Sequence, residues 1–276
     1  MPLHGNGWRP TLVTRFVQAF GTATGTVRVD TDAGEGYLKA LGNPEGPHAL
    51  ACELVGSRLA DWFGLQTLDF ALIQVGEDDD IPLVSGNKAL PGPAFISRAE
   101  NTGFSWSGDD KELNKIDNIN DISGLVVLDT WLLNCDRHAP DGRRVNLDNV
   151  FLTQHPNNER TLRLMAMDFT HAFTCGGEIN RRVGYIEKIK DANVYGCFRQ
   201  FVPFLNREEV RRLAALLSEF DHNEAKEVVS SVPKAWEVGQ ENCATWASMI
   251  TQRAHFLAEN IETMLWPQME LIGGTE

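Results

Sequence analysis

The 276-residue sequence lacks any apolar run long enough to cross a membrane. Its best candidate, Leu125–Leu133, is far shorter than the required run of about 18 residues, and it contains Asp129. The first residues, Met1–Gly5, show no basic-then-apolar pattern of a secretory signal. We therefore expect a cytoplasmic protein with no membrane partner.

Cysteines are few and scattered. The chain has 5 of them, an odd number, and no two form a Cys-x-x-Cys motif. This pattern argues against a disulfide framework and against a zinc site, and it favours a reducing compartment.

Positive charge is also scarce, because 25 Lys and Arg residues face 38 Asp and Glu residues. The formal net charge of -13 gives a field that repels nucleic acid and anionic membranes, so we expect neither as a direct partner. The hydrophobic content of 42% is that of an ordinary globular protein with a sizeable core.

The first hundred residues predict strands around one helix. Apolar, β-prone segments alternate with Gly-rich turns, as in a β-meander; the predicted strands are Leu12–Phe20, Val27–Val29, Tyr37–Leu41, Phe70–Val75 and Pro82–Val84. Between them, Ala49–Phe63 has apolar residues at helical spacing and Gly64 as a C-cap. The Gly/Pro-rich passage Gly86–Pro93 predicts a boundary between two lobes.

The remainder of the chain is predicted to be mainly helical. Asp121 is the expected cap of an almost wholly apolar helix that leads to Leu133. Asn206 and Glu209 resemble a capping box for a helix over Arg207–Phe220, and a long final helix includes Trp246–Ile261. The sequence therefore predicts an α+β protein with a β-rich lobe at residues 1–97 and a helical lobe at 98–276.

Three polar groups follow the apolar helix in a fixed order: Asp136-Arg137-His138, Asp148-Asn149 and Met167-Asp168-Phe169. Phosphoryl transfer from Mg-ATP requires one carboxylate to orient the attacking hydroxyl, and an Asn and a second Asp to hold the metal on the phosphates. We predict Asp136 as the catalytic carboxylate and His138 as a hydrogen-bond partner or a competing general base. A purely structural His138 is an equal alternative.

Upstream residues support this chemistry. Lys39 lies in a predicted strand, where an ammonium group is unusual unless it faces a cleft, and Glu53 on the following helix can reach it. Kinase folds use such a pair to hold the α- and β-phosphates. Gly21 and Gly25 lie in a turn between two strands that can place backbone N–H groups over phosphates, although most such turns bind nothing.

These motifs resemble the Asp-Arg-His…Asn…Asp-Phe pattern of phosphatidylinositol kinases and, more fully, the short stand-alone HipA-like kinases of bacteria. The resemblance extends to Tyr37-Leu38-Lys39, the Glu53 helix and Val232-Pro233-x-x-Trp236. It implies a bilobal protein-kinase-like fold that binds ATP between its lobes. It also implies a Ser/Thr kinase with a protein substrate, in a family associated with toxin–antitoxin systems.

Residue by residue, the resemblance implies that Lys39 binds the phosphates with Glu53 as its partner, that Asp136 is catalytic, and that Asn149 and Asp168 bind Mg²⁺. One spacing departs from the pattern. Kinases place the metal Asn about five positions after the catalytic Asp, whereas Asn149 comes 13 positions after Asp136 (149 − 136). Asn146 is therefore a rival metal ligand.

Two other functions stay open. The same fold could phosphorylate a small molecule or a lipid, although the acidic composition offers no polybasic patch for anionic headgroups. The chain could also be a pseudokinase that acts as a scaffold without turnover. Measuring the binding of Mg-ATP and then assaying phosphate transfer distinguishes an active kinase from a scaffold.

Overall fold

The computed structural model describes residues 7–84 and 86–266. Its N-terminal part is an antiparallel sheet of five strands in the order β1-β2-β3-β5-β4. The strands are β1 (Val13–Ala19), β2 (Val27–Thr31), β3 (Gly34–Lys39), β4 (Phe70–Val75) and β5 (Gly92–Arg98). Their pairing places β3, which ends at Lys39, next to β5 near the centre of the sheet.

Four of the five predicted strands lie in this sheet, but its strand β5 was not predicted. The turn between β2 and β3 is tight, because Asp30 pairs with Glu35 and Thr31 pairs with Gly34. The predicted strand Pro82–Val84 is wrong. It forms only an isolated bridge between Pro82 and Lys88, since proline has no N–H to donate to a ladder. The passage Gly86–Pro93 follows β4 and includes the first two residues of β5.

The helix α1 (Pro47–Trp62) joins the sheet to the rest of the protein. Proline suits its first turn, where the missing N–H would have no helical partner. Gly64 follows the C-cap residue Phe63 with a φ of +83°, the left-handed conformation that a helix end commonly takes. Eleven of its residues are buried, including Glu53, so α1 lies within the core of the molecule.

The C-terminal part is mainly helical but includes a second antiparallel sheet, ordered β6-β7-β8. Its elements are β6 (Phe104–Ser105), α2 (Asp110–Leu113), α3 (Asp121–Leu132), β7 (Phe151–His155), β8 (Asn158–Met165), α4 (Ile186–Ile189), α5 (Arg207–Glu219), α6 (His222–Ser230) and α7 (Gln240–Leu265). The central α3 is surrounded by other elements, and all its residues from Ile122 to Leu132 are buried. A β-rich N-terminal part and a helical C-terminal part confirm the predicted α+β class. None of the helices in the described ranges is long and apolar enough to span a membrane.

Two predicted helix caps need correction. Asp121 is the first residue of α3, not its cap; Asn120 holds that position, and the Asp121 carboxylate accepts a hydrogen bond from Asn118. Asn206 does cap α5, because its side chain accepts from the backbone of the next residues in the first turn. Glu209 binds Arg212 and does not complete a capping box.

The sequence argued against a disulfide framework, and the described residues contain one disulfide. Cys135 and Cys175 are joined by a disulfide, with their Cα atoms 5.7 Å apart. The two residues are 40 positions apart in sequence, so only the folded arrangement of the segments after α3 and β8 brings them together. Cys52, Cys197 and Cys243 are free thiols.

Candidate active site

Lys39 lies at the centre of a buried cluster of three charges. Its Nζ donates to Glu53 Oε2 over 3.0 Å and to Asp168 Oδ1 over 3.1 Å. Burial alone would lower the pKa of Lys39, but the two carboxylates outweigh it and raise the pKa. The ammonium group is therefore fixed in its charged form, as a phosphate ligand must be.

The two carboxylates of this cluster differ in their surroundings. Glu53 is only 5% exposed, and burial raises its pKa despite the nearby ammonium group. Asp168 is 21% exposed; burial acts to raise its pKa too, but the charge of Lys39 outweighs this and holds the pKa below its ordinary value. Asp168 is thus the carboxylate that stays ionised and open to a ligand.

A close approach of α1 fixes the segment that carries Asp168. Glu53 Oε2 accepts a hydrogen bond from the backbone N–H of Phe169 over 2.8 Å. This contact requires Gly56, because a Cβ at that position would collide with the Cβ and ring of Phe169. Phe169 itself is fully buried, so the residue after Asp168 anchors the segment in the core.

Asp168 lies in a turn just after a strand. The strand β8 ends at Met165, and Asp168 follows in a turn with a φ of +60°. The Thr170 hydroxyl donates to Asp168 Oδ1 over 3.0 Å, and the guanidinium group of Arg137 donates to the carbonyl of Met167. Side-chain hydrogen bonds therefore hold this turn in place of a strand ladder.

Asp136 is placed by the end of α3. Leu133 takes a left-handed conformation with a φ of +53°, which turns the chain sharply after the helix. Asp129, on the last turn of that helix, binds the side chains of both Asn134 and Arg137. Because Asp129 and Arg137 are completely buried, this ion pair fixes the residues on both sides of Asp136.

Four side chains contact the Asp136 carboxylate. Asn149 Nδ2 donates to its Oδ2 over 2.8 Å and Asn146 Nδ2 does so over 3.4 Å, while Arg144 lies 3.2 Å from Oδ1. Asn149 ends the short 3₁₀ helix Leu147–Asn149, which leads into the strand β7. Asn146 caps that helix by accepting from the backbone of Asp148, which occupies its side-chain oxygen.

The fourth contact comes from His171 and not from His138. The ring of His138 packs edge-on against Phe198, and across residues 7–84 and 86–266 it makes no polar contact with Asp136. His171 Nδ1 lies 3.6 Å from Asp136 Oδ2, and its Nε2 lies 3.1 Å from Glu45 Oε1. The hydrogen bond with Glu45 raises the pKa of His171 above its ordinary value.

A cavity of about 410 Å³ opens between the N-terminal sheet and the second sheet. Lys39, Glu53, Asn149 and Asp168 are among its lining residues. Apolar side chains form the walls, namely Leu68, Phe70, Phe95, Phe104, Phe151 and Met167. Its volume and mixed lining are those of a site for a nucleotide-sized molecule.

The turn between β1 and β2 borders this cavity through threonines. Thr22 and Thr26 line it, whereas the two predicted phosphate-binding glycines, Gly21 and Gly25, do not. Gly25 instead has a φ of +62° and donates from its backbone to the Thr22 carbonyl, which closes the turn. The structure thus brings together five of the eight predicted site residues and leaves both glycines and His138 outside the cluster.

The sequence model of the HipA-like kinase family matches residues 30–269, which is most of the chain. This protein belongs to the HipA-like kinase family. Among solved structures, the proinflammatory kinase CtkA of Helicobacter pylori is similar, with a TM-score of 0.55 and 13% sequence identity. The match covers 95% of this chain and 98% of CtkA, and it shows the kinase-like fold. No curated protein matches the sequence.

Membership of the HipA-like kinases implies ATP and a divalent metal, and two side chains suit a hard cation. In the described part of the chain no group donates to Asp168 Oδ2, and the Asn149 amide nitrogen binds Asp136, which leaves its carbonyl oxygen unused. No cluster of three or more His, Cys, Asp or Glu side chains among the described residues could hold a metal alone. Two protein oxygens fit Mg²⁺, which takes its other ligands from phosphates and water.

Proposed function

We propose that this HipA-like kinase transfers the γ-phosphate of Mg-ATP to a serine or threonine hydroxyl of a protein. The convergence of Lys39, Glu53, Asp136, Asn149 and Asp168 carries this proposal. They come from segments up to 129 residues apart, yet Lys39 contacts both Glu53 and Asp168, and Asn149 contacts Asp136. Thr170 and His171 link Asp168 to Asp136. Lys39, Glu53, Asn149 and Asp168 line a single cavity.

The cavity would hold the nucleotide with its base against the apolar walls and its phosphates towards Lys39. The ammonium group binds phosphate oxygens, and Glu53 keeps it pointed into the cavity. Asn149 and Asp168 would bind Mg²⁺, which neutralises the charge that develops on the phosphates. On the catalytic side Arg144 pairs with Asp136, and Arg137 pairs with the buried Asp129.

Asp136 would orient the acceptor. Its side chain is 18% exposed, so a hydroxyl group can reach it from solvent. The hydroxyl donates its hydrogen bond to the carboxylate, its oxygen attacks the γ-phosphorus in line with the departing ADP, and Asp136 takes the proton late in the transfer. Asn149 and His171 hold the carboxylate in position by binding the same Oδ2 atom.

A protein acceptor and a cytoplasmic location are the finer parts of this proposal. A small-molecule or lipid kinase of the same fold and a pseudokinase scaffold are the alternatives. The structure favours an active enzyme over a scaffold, because each charged group that phosphoryl transfer requires has a side chain in contact with the cluster.

The test is transfer of radiolabel from γ-labelled ATP to proteins of a host lysate, with Asp136→Ala as the inactive comparison. We expect labelled protein bands with the native chain and loss of at least about 10³-fold with the variant, since orientation of the acceptor is lost. If the label appears only in small-molecule or lipid fractions, the acceptor is a small molecule or a lipid and not a protein. Nucleotide binding without any transfer, unchanged by the substitution, would indicate a scaffold.

A further inference from the structure

Two cysteines connect the two segments of the proposed active site. Cys135 directly precedes Asp136, and Cys175 lies four residues after His171. Their sulfur atoms are bonded, and their Cα separation of 5.7 Å is one that a disulfide spans without backbone movement. The bond therefore ties the residue beside the catalytic carboxylate to the segment that carries its histidine partner.

This pair is open to solvent. Cys175 is exposed and Cys135 is half-buried, whereas the free thiol of Cys52 is completely buried. Exposed disulfides are reduced more readily than buried structural ones, and they are commonly regulatory or catalytic. The location and exposure of this pair thus distinguish it from a bond that only stabilises the core.

Contacts with the end of helix α3 and within the segment itself hold the residues that follow Asp168 in place. Phe173 and Cys175 have φ values of +65° and +53°, which L-residues adopt only when their surroundings hold them there. The backbone N–H of Phe173 donates to Leu132 over 2.6 Å, and that of Cys175 donates to His171 over 3.0 Å. The disulfide is the covalent member of this set.

We propose that Cys135 and Cys175 are a thiol–disulfide modification site that controls turnover, and this rests on the proposed function. The oxidised pair holds His171 beside Asp136, where its Nδ1 lies 3.6 Å from Oδ2, and reduction releases residues 173–177. A low-molecular-weight disulfide such as oxidised glutathione supplies the oxidant. The exposed Cys175 thiolate attacks it and expels one thiolate; the Cys135 thiolate then attacks the Cys175 sulfur and expels the second. The protons lost by the two cysteines end on the two released thiols.

The experiment uses the full chain equilibrated in either oxidised or reduced glutathione. We expect peptide mass mapping to find a peptide linked through Cys135 and Cys175 after oxidation only. The oxidised protein should melt roughly 5–10 °C above the reduced protein. Its kcat for phosphate transfer should be at least about threefold higher, with the KM for ATP unchanged, because the disulfide does not contact the cluster around Lys39.

Two variants provide the controls. Cys175→Ser should behave as the reduced protein in both buffers, and Cys197→Ser, which removes a free thiol, should respond as the native chain does. Alkylation of both Cys135 and Cys175 after oxidation, or equal kcat values in the two forms, would overturn the proposal. If neither form transfers phosphate, the proposed function has failed, while the linked peptide and the shift in melting temperature still support the modification site.

Discussion

Replacing Lys39 by methionine removes the charge that two buried carboxylates share. Glu53 and Asp168 contact the same Nζ atom, so the variant leaves two acidic side chains within about 6 Å of each other and without their cation. Breaking a buried ion pair in this way costs about 3–5 kcal/mol. We expect Lys39→Met to lower the free energy of unfolding by that amount at pH 7.5.

The double variant Lys39→Met/Glu53→Gln separates charge from packing. It removes the repulsion and should recover about half of the lost stability or more. The loss in Lys39→Met should also shrink as the pH falls towards 5, because the pKa of Glu53 is already raised in the native protein and rises further without the ammonium group. A carboxyl with a raised pKa destabilises the folded state only at a pH where it must ionise.

Urea unfolding of the native chain and both variants at pH 7.5 and pH 5.5 measures these differences, provided that the m-values agree. Our reasoning fails if Lys39→Met costs less than about 1 kcal/mol at pH 7.5, or if its cost is the same at both values of pH. Either result would mean that Lys39 is not held between the two carboxylates in the folded protein.

Three further substitutions test individual contacts. Asn149→Ala should raise the Mg²⁺ concentration for half-maximal transfer at least tenfold, whereas Asn146→Ala should change it less than threefold; equal effects would reject Asn149 as the metal ligand. His171→Asn should lower the free energy of unfolding by about 1.5–3 kcal/mol at pH 6 and by less at pH 8.5, as measured by thermal unfolding. A histidine whose pKa is raised in the folded state stabilises the fold below about pH 6.5, and this contribution is lost as the pH rises through the folded pKa. A cost that is the same at both values of pH would contradict this. Gly56→Ala places a methyl group against the buried ring of Phe169, and it should lower the free energy of unfolding by about 1–3 kcal/mol and abolish most of the turnover. The control Gly239→Ala places its methyl group in open space and should keep full activity. If Gly56→Ala were tolerated, helix α1 would be able to move away from Phe169.

The sequence was sufficient to predict the class of fold and the contact between Lys39 and Glu53. A lysine in a strand and a glutamate on the next helix are expected to pair with each other, because each charged side chain is costly to bury alone. Lys39 and Glu53 are indeed in contact. The strand β8 was not predicted, although the alternation of Leu162, Arg163 and Leu164 carried a signal for it.

The role of His171 could not be read from the sequence. It lies 35 positions after Asp136, and its approach depends on the left-handed turn at Asp168 and on the carboxylate of Glu45. Left-handed conformations at residues other than glycine have no reliable sequence signal. His138, by contrast, is adjacent to Asp136 in sequence, yet the chain directs its ring away from that carboxylate towards Phe198.

The disulfide was missed for a related reason. Counting cysteines excludes a framework of several bonds, but it says nothing about one pair that the fold brings within reach. Cys135 and Cys175 meet only because the end of α3 and the turn after Asp168 lie side by side.

Calorimetric titration with Mg-ATP tests the central claim most directly, because it measures nucleotide binding separately from transfer. The native chain and Asp136→Ala should each bind one nucleotide, with Kd values within about twofold of each other. Asp168→Ala should weaken binding at least tenfold, or about 1.4 kcal/mol, because it removes a metal ligand. Equal affinity of Asp168→Ala and the native chain, or no binding of any nucleotide to the native chain, would contradict the account.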